Sequence, residues 1–376
     1  MAVEQQQRAE TGRGRLRPAR WMAVAGALLA TAAQASDPPA RLIPIATFGA
    51  DDRVAVPQNL SKVPDALGVL FNTKAKTVCT AFCAGDDIVG TAAHCLYRTT
   101  GERTPQLADF WFARSYDTIR DYARIKGHDN GTAAYNVLSG TLKLKIQPPI
   151  DATSDWAFVK LAKPLCAKGQ LTIEAMTPDA IEAAAKDKKV FQISYHRDFL
   201  QWQPAYSQPC TVTRNYEGAP WEMIREDFSN PETLVLHTCD TGGASSGSPL
   251  FMDTPKGPVV IAINVGTYVQ SKVLMRDGQV AQRLKADTVA NTAVSTSRFH
   301  EQLKLFRSTQ PVAGTRQVRQ IQERLKALKF YDGPADGALG PQLRAAIEAY
   351  ETAKGTPRLG LPTEALIKQL GITAAR

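Results

Sequence analysis

Asp240-Thr241-Gly242-Gly243-Ala244-Ser245-Ser246-Gly247-Ser248-Pro249-Leu250 decides how the rest of the chain is read. Small residues flank Ser246, as a backbone needs when it turns tightly and aims N–H groups at one point. A serine hydroxyl is a poor nucleophile unless a neighbouring imidazole takes its proton. That imidazole in turn needs a buried carboxylate to fix its tautomer and stabilise its cation. The sequence offers both upstream. Thr91-Ala92-Ala93-His94-Cys95 supplies the imidazole, with Cys79 sixteen residues before Cys95. Ser154-Asp155-Trp156-Ala157-Phe158-Val159-Lys160-Leu161 supplies an acid at the head of an apolar run.

Around these three segments the chain is a series of short β-rich runs, at 67–71, 78–82, 88–91, 110–113, 142–146, 156–161, 190–195, 234–238 and 258–265. Turn residues separate them at the spacing of an all-β sandwich or barrel. Trp111 and Trp156 lie in such runs and read as core. Residues 178–187 read as a short surface helix, and 298–306 as an amphipathic helix closing the domain. Residues 307–315 carry Pro311 and Gly314 and form a natural linker. Beyond it the pattern is helical. Val318, Ile321, Leu325 and Leu328 share one face, a second helix runs from Pro341 to about Ala353, and a third spans 362–370. Pro341 and Pro362 suit first helical turns, and Gly355 and Gly371 suit helix ends.

Composition excludes several classes. With 44% hydrophobic and 22% charged residues over 376, the chain is not disordered, and its length allows two or three domains. The net charge is +9, but five Arg against two Glu ahead of Ser36 contribute +3 of it. The remainder is spread without a Lys/Arg run, which argues against nucleic acid and suits anionic partners such as a cell wall. Residues 21–33 are nearly free of polar side chains yet too short for a bilayer span of about 20. With Arg8, Arg13, Arg15, Arg17 and Arg20 before them and Ala33-Gln34-Ala35 after, they read as a signal peptide over 1–35. The expected mature chain is periplasmic or secreted, without a transmembrane anchor. Cys79, Cys83, Cys95, Cys166, Cys210 and Cys239 are even in number, and an oxidising compartment favours three disulfides among fifteen possible pairings. No second ligand cluster supports zinc, and the chemistry calls for no metal or cofactor.

Thr-Ala-Ala-His-Cys, the Asp155 run and Ser-Gly-Ser-Pro, in that order, resemble the chymotrypsin-like serine proteases. Within them the chain is similar to the bacterial glutamyl-endopeptidase-like branch, over roughly residues 45–306 and including Gly49-Ala50-Asp51-Asp52-Arg53. The resemblance implies two six-stranded β-barrels in a protease domain over 36–306. His94 is then general base and general acid, Asp155 its orienter and Ser246 the nucleophile, with the N–H groups of Ala244 and Ser246 as oxyanion hole. It implies a Cys79–Cys95 bridge, with Cys210–Cys239 and Cys83–Cys166 as the other expected pairs. Asp240 falls where the trypsin branch has the base of its primary pocket, which implies a preference for Lys or Arg; a turn-capping role is the alternative. Thr241 and Asn264 fall in the same substrate-binding region. Asn264 stands where glutamyl-specific relatives carry His, which argues against glutamate preference. Ala244 replaces the usual Gly, and Ser245 replaces the Asp that in animal enzymes pairs with a newly cut N-terminus.

Residues 316–376, with the loop Tyr331-Asp332-Gly333-Pro334-Ala335-Asp336-Gly337-Ala338-Leu339-Gly340, resemble the three-helix peptidoglycan-binding module of cell-wall enzymes. Leu343 stands where that family has Thr, and Tyr350-Glu351 where it has Phe-Gln. The expectation is an all-β double barrel followed by a small all-α domain. Its activity is hydrolysis of protein or peptide substrates, with peptidoglycan as a further partner. The rival expectation, from another class, is a catalytically silent protease-like scaffold or wall-binding protein. His128, His196 and His300 read as surface residues, and His237 as a packed strand residue.

Overall fold

The computed structural model describes residues 46–372, apart from 98–104, 117–120, 201, 208, 218, 271–272, 277–278 and 284–286. The segment expected to be a signal peptide lies outside the described residues. After a short strand β1 (Val54–Ala55) come β2 (Leu67–Asn72), β3 (Thr77–Gly85), β4 (Ile88–Thr91), β5 (Trp111–Arg114), β6 (Tyr122–Arg124), β7 (Val137–Ser139) and β8 (Ala157–Lys160). Strands β2 to β8 make one antiparallel sheet, in the order β6-β5-β2-β3-β4-β8-β7. An isolated bridge, Ile125↔Leu161, draws the β6 margin back towards β8 and curls the sheet.

The second half contributes β9 (Val190–Tyr195), β10 (Pro204–Ser207), β11 (Leu234–His237), β12 (Pro249–Met252) and β13 (Val259–Gln270). A two-stranded ribbon, β14 (Val273–Arg276) and β15 (Gln279–Arg283), precedes β16 (Asp287–Ser295). The second sheet runs β1-β10-β9-β12-β13-β16-β11, so β1 crosses from the start of the chain to the far half. This is the expected chymotrypsin-like pair of antiparallel sheets, with seven strands in each rather than six.

Apolar residues on successive strands make the cores. In the first sheet Phe82 meets Phe158 edge-on at 6.5 Å. Phe299, beyond β16, packs on Phe158 at 5.2 Å and on Trp156 at 5.3 Å, so the end of the second half seals the first. In the second sheet Phe191 stacks on Phe251 at 5.3 Å. The disulfides are Cys79–Cys95, Cys83–Cys166 and Cys210–Cys239.

The strand expected at 142–146 is absent, and β7 takes that place beside β8. The Leu-Lys-Leu-Lys-Ile alternation is there, but Thr141 Oγ1 accepts from Lys143 N at 3.2 Å and donates to Lys143 O at 3.0 Å. Such local side-chain bonds compete with ladder formation, and Pro148-Pro149 next removes two donors.

Helices α1 (His94–Tyr97), α2 (Pro178–Lys186), α3 (Trp221–Glu226) and α4 (His300–Ser308) decorate the sheets. The tail holds α5 (Thr315–Ala327), α6 (Pro341–Ala353) and α7 (Glu364–Gln369) around Val318, Ile321, Leu325, Leu343, Ile347 and Leu366. Buried Gln322 shapes the loop between α5 and α6. Its Nε2 donates to Asp336 Oδ1 at 2.7 Å and its Oε1 accepts from Gly337 N at 2.7 Å. Among the described residues no helix is long and apolar enough to cross a membrane.

Candidate active site

Strand pairing brings the first two candidate residues together. Thr91, the last residue of β4, lies opposite Ala157, the first of β8. His94 leaves the end of β4 and Asp155 enters β8, so both project from the same end of one strand pair. His94 N donates to Asp155 Oδ1 at 2.8 Å, and His94 Nδ1 lies 2.7 Å from Asp155 Oδ2. Asp155 is 1% exposed, so water does not compete for either oxygen. With a carboxylate as partner, Nδ1 carries the proton and Nε2 is left as the basic nitrogen.

Ser246 comes from the other sheet, on the loop ahead of β12. Thr80 of β3 ties that loop to the first sheet: its N donates to Ala244 O at 2.8 Å and to Ser246 O at 3.0 Å. Thr80 Oγ1 donates to Ala244 O at 2.9 Å, and Thr91 Oγ1 to Thr80 O at 2.9 Å. Cys95, beside His94 and bridged to Cys79, has its Sγ 3.9 Å from Ser246 O. A Cβ on Gly247 (φ +85°) would strike Thr91 Oγ1 and Thr80 O, so only glycine lets the loop approach so closely. From below, Asn264 accepts from Gly247 N at 2.8 Å through its backbone oxygen and donates from Nδ2 to Ser245 O at 3.2 Å.

Ala244 has φ +83°, the left-handed region in which a Cβ is strained. Among the described residues the amides of Ala244 and Ser246 donate to no group in the chain, and no hydrogen bond joins Ser246 Oγ to His94 Nε2. His94, Asp155, Ser246 and Ala244 are thus gathered where the two sheets meet.

The three residues expected to bind substrate all make hydrogen bonds within the chain. Asp240 is buried, and its two oxygens accept from Phe48 N at 2.8 Å and Asp52 N at 3.0 Å. Both carboxylate oxygens are thus engaged by backbone amides of the segment 46–53. Thr241 is buried in a bridge to Ala46, its N donating to Ala46 O at 2.9 Å. Asn264 Oδ1 accepts from His237 Nε2 at 3.1 Å, while His237 Nδ1 accepts from Cys239 N at 3.3 Å. That ring is neutral: burial pushes its pKa down to about 4.

His196 is buried, not on the surface as its sequence neighbours imply. Its Nδ1 accepts from Gly242 N at 3.1 Å, and burial followed by the nearby Arg53 charge lowers its pKa to about 4. The polar Arg197-Asp198 after it suggests solvent, but the end of β9 tucks under the serine loop. Nothing in the sequence marks the part Thr80 plays beyond its place next to Cys79. Cys79, Cys95 and His94 cluster, but the two sulfurs are joined and offer no thiolate to a metal.

Residues 315–370 match the family model of the peptidoglycan binding domain. No curated protein matches the chain. Among solved structures, a Glu endopeptidase in complex with MPD is similar at 14% identity and a TM-score of 0.46, covering 70% of this chain and 100% of that one. A thermostable serine protease, AL20, from an extremophilic microorganism is similar at 14% identity and a TM-score of 0.37, covering 62% and 90%.

Proposed function

We propose that this chain is an exported serine endopeptidase whose tail associates it with the cell wall. His94 Nε2 takes the proton of Ser246 as the hydroxyl oxygen attacks a peptide carbonyl. The amides of Ala244 and Ser246 receive the oxyanion, and His94 then passes the proton to the departing amine. Water, deprotonated by His94, hydrolyses the acyl-enzyme and restores Ser246. The carrying observation is the buried Asp155 carboxylate bonded twice to His94, where the two sheets meet and Ser246 and Ala244 present unpartnered amides. An exported enzyme with three disulfides and a peptidoglycan-binding-like tail fits the periplasm or the cell exterior.

One observation favours the rival, silent scaffold: Ser246 Oγ has no hydrogen bond to His94. Such bonds are often loose in unliganded sites and tighten with substrate. A fluorophosphonate decides between the two. Stoichiometric labelling of the purified protein at Ser246, lost in Ser246→Ala and kept in Ser245→Ala, supports the enzyme. Absence of label from folded protein, or label on Ser245, refutes it.

A further inference from the structure

The four residues before Ala244 are held from two sides by segments far away in sequence. On one side lies the stretch 46–53. Ala46 bridges Thr241, and Phe48 N and Asp52 N both donate to Asp240. On the other side lies the end of β9. Gly242 N donates to His196 Nδ1 at 3.1 Å, and Arg197 N donates to Gly243 O at 2.8 Å. Arg53 joins the two sides. Its guanidinium, with the side chain 3% exposed, reaches Asp51 Oδ2 at 2.7 Å and Asp198 Oδ2 at 2.9 Å, and lies 4.9 Å over the Phe199 ring. Gly242 sits between Arg53 and Asp198, where an added Cβ would strike Asp198 Oδ1 and come within 2.7 Å of Arg53 Nη1.

The next residue is Ala244 at φ +83°, with its amide unpartnered inside the chain. A non-glycine residue stays in that region only where its surroundings over-determine it. The clasp on 240–243 is such a surrounding.

We propose that Arg53, clasped to Asp198 across Gly242, is a positioning residue that locks the loop 240–243 and so aims the Ala244 and Ser246 amides at the oxyanion. The inference rests on Ser246 being the nucleophile.

Its test separates the two ideas. The rate of fluorophosphonate labelling and the kcat and KM for p-nitrophenyl acetate are measured on the full chain and on Arg53→Gln, Arg53→Lys and Asp198→Asn. Near-UV circular dichroism monitors the fold. Loss of one oxyanion donor costs about 10²–10³-fold in kcat; a donor left in place but loosened is expected to cost about tenfold or more. The expected result is labelling slowed by that factor in Arg53→Gln and Asp198→Asn, with kcat lowered, KM little changed and Arg53→Lys partly restored. If Arg53→Gln fails to fold, Asp198→Asn, whose carboxylate is partly exposed, decides the matter. Wild-type rates in Asp198→Asn and folded Arg53→Gln, with the full chain labelled at Ser246, overturn the clasp alone. A full chain that takes no label overturns the proposed function and the clasp with it.

Discussion

Replacing Asp155 by Asn tests the site most directly, because both carboxylate oxygens are accounted for. Oδ1 accepts from His94 N and Oδ2 faces Nδ1, at 2.8 and 2.7 Å, and Asp155 itself is 1% exposed. An amide offers one acceptor and one donor to these two positions. If its oxygen keeps the backbone N–H, its NH2 faces Nδ1 and the ring must carry its proton on Nε2, where it cannot take one from Ser246. If the amide is turned over, its NH2 meets the His94 N–H and a buried donor goes unpaired, costing about 1–3 kcal/mol. The first arrangement is cheaper, so the wrong tautomer prevails. A tautomer switch of this kind lowers turnover about 10⁴-fold, or about 5.4 kcal/mol of transition-state stabilisation. The assay is the second-order rate of fluorophosphonate labelling, with thermal melting to show that the fold persists. Labelling of folded Asp155→Asn within a few-fold of wild type refutes the orientation argument.

Ala244→Gly trades relief of a strained Cβ, about 1–2 kcal/mol, against a backbone entropy cost of about 0.5–1 kcal/mol. Its melting temperature should stay within about 2–4 °C of wild type, with labelling at least as fast; slower labelling means the Cβ itself positions the loop. His196 and His237 titrate near 4 when folded, against 6.5 for a free ring. Their contribution is complete above pH 6.5 and is lost as the pH falls through 4, about 3 kcal/mol each. Glu351 runs the other way: burial lifts it to about 7, so its contribution is full below 4.5 and is lost as the pH rises through 7. Urea unfolding of Glu351→Gln, which removes that opposing trend, should show a lower midpoint at pH 4.5 than at pH 7.5, and an unchanged midpoint contradicts the histidine assignment. Arg344, buried, donates to Val137 O at 3.2 Å and Ala134 O at 3.0 Å. Arg344→Met leaves two carbonyls unpaired and should hasten proteolysis between 309 and 314, while equal resistance shows that the contact does not hold the tail.

The legible parts are those whose chemistry is local. The Ser-Gly-Ser-Pro turn and the His-Cys pair announce themselves because few residue types fit a tight turn or a clamped imidazole. Helix α6, from Pro341 to Ala353, has both ends written in its sequence by a proline and a nearby glycine. What is not legible depends on partners far away. The amides that hold Asp240 lie almost two hundred residues upstream, where nothing near Asp240 in sequence announces them. His196 looks exposed beside Arg197 and Asp198 until Gly242 is found against its ring. Strand β1 has two residues and no pattern to show, and its pairing with β10 follows from where 46–53 is anchored. In each case one sequence neighbourhood supports two physical readings, and long-range burial selects between them.

Long-range partners also decide what the tail can do. A module that acts as a tether needs a linker free of the bodies it joins, and residues 309–314 are not free. Val312 N donates to Pro362 O at 2.8 Å, Pro311 bridges Thr363, and Thr309 O accepts from the Lys160 ammonium. Lys160 is 2% exposed, burial lowers its pKa against the pull of the Asp87 charge, and its ammonium also lies 4.8 Å from the centre of the Phe306 ring. Without Thr309 that buried amine loses the carbonyl that compensates it. Leu359 and Leu361 belong to the main core rather than to the tail's own, while Tyr135 of the β-sheet part packs into the tail and accepts from Leu339 N at 3.1 Å. The exchange of core residues in both directions ties the stability of each part to the other. A wall bound by this tail would therefore meet the serine site in a fixed orientation, not at the end of a free tether.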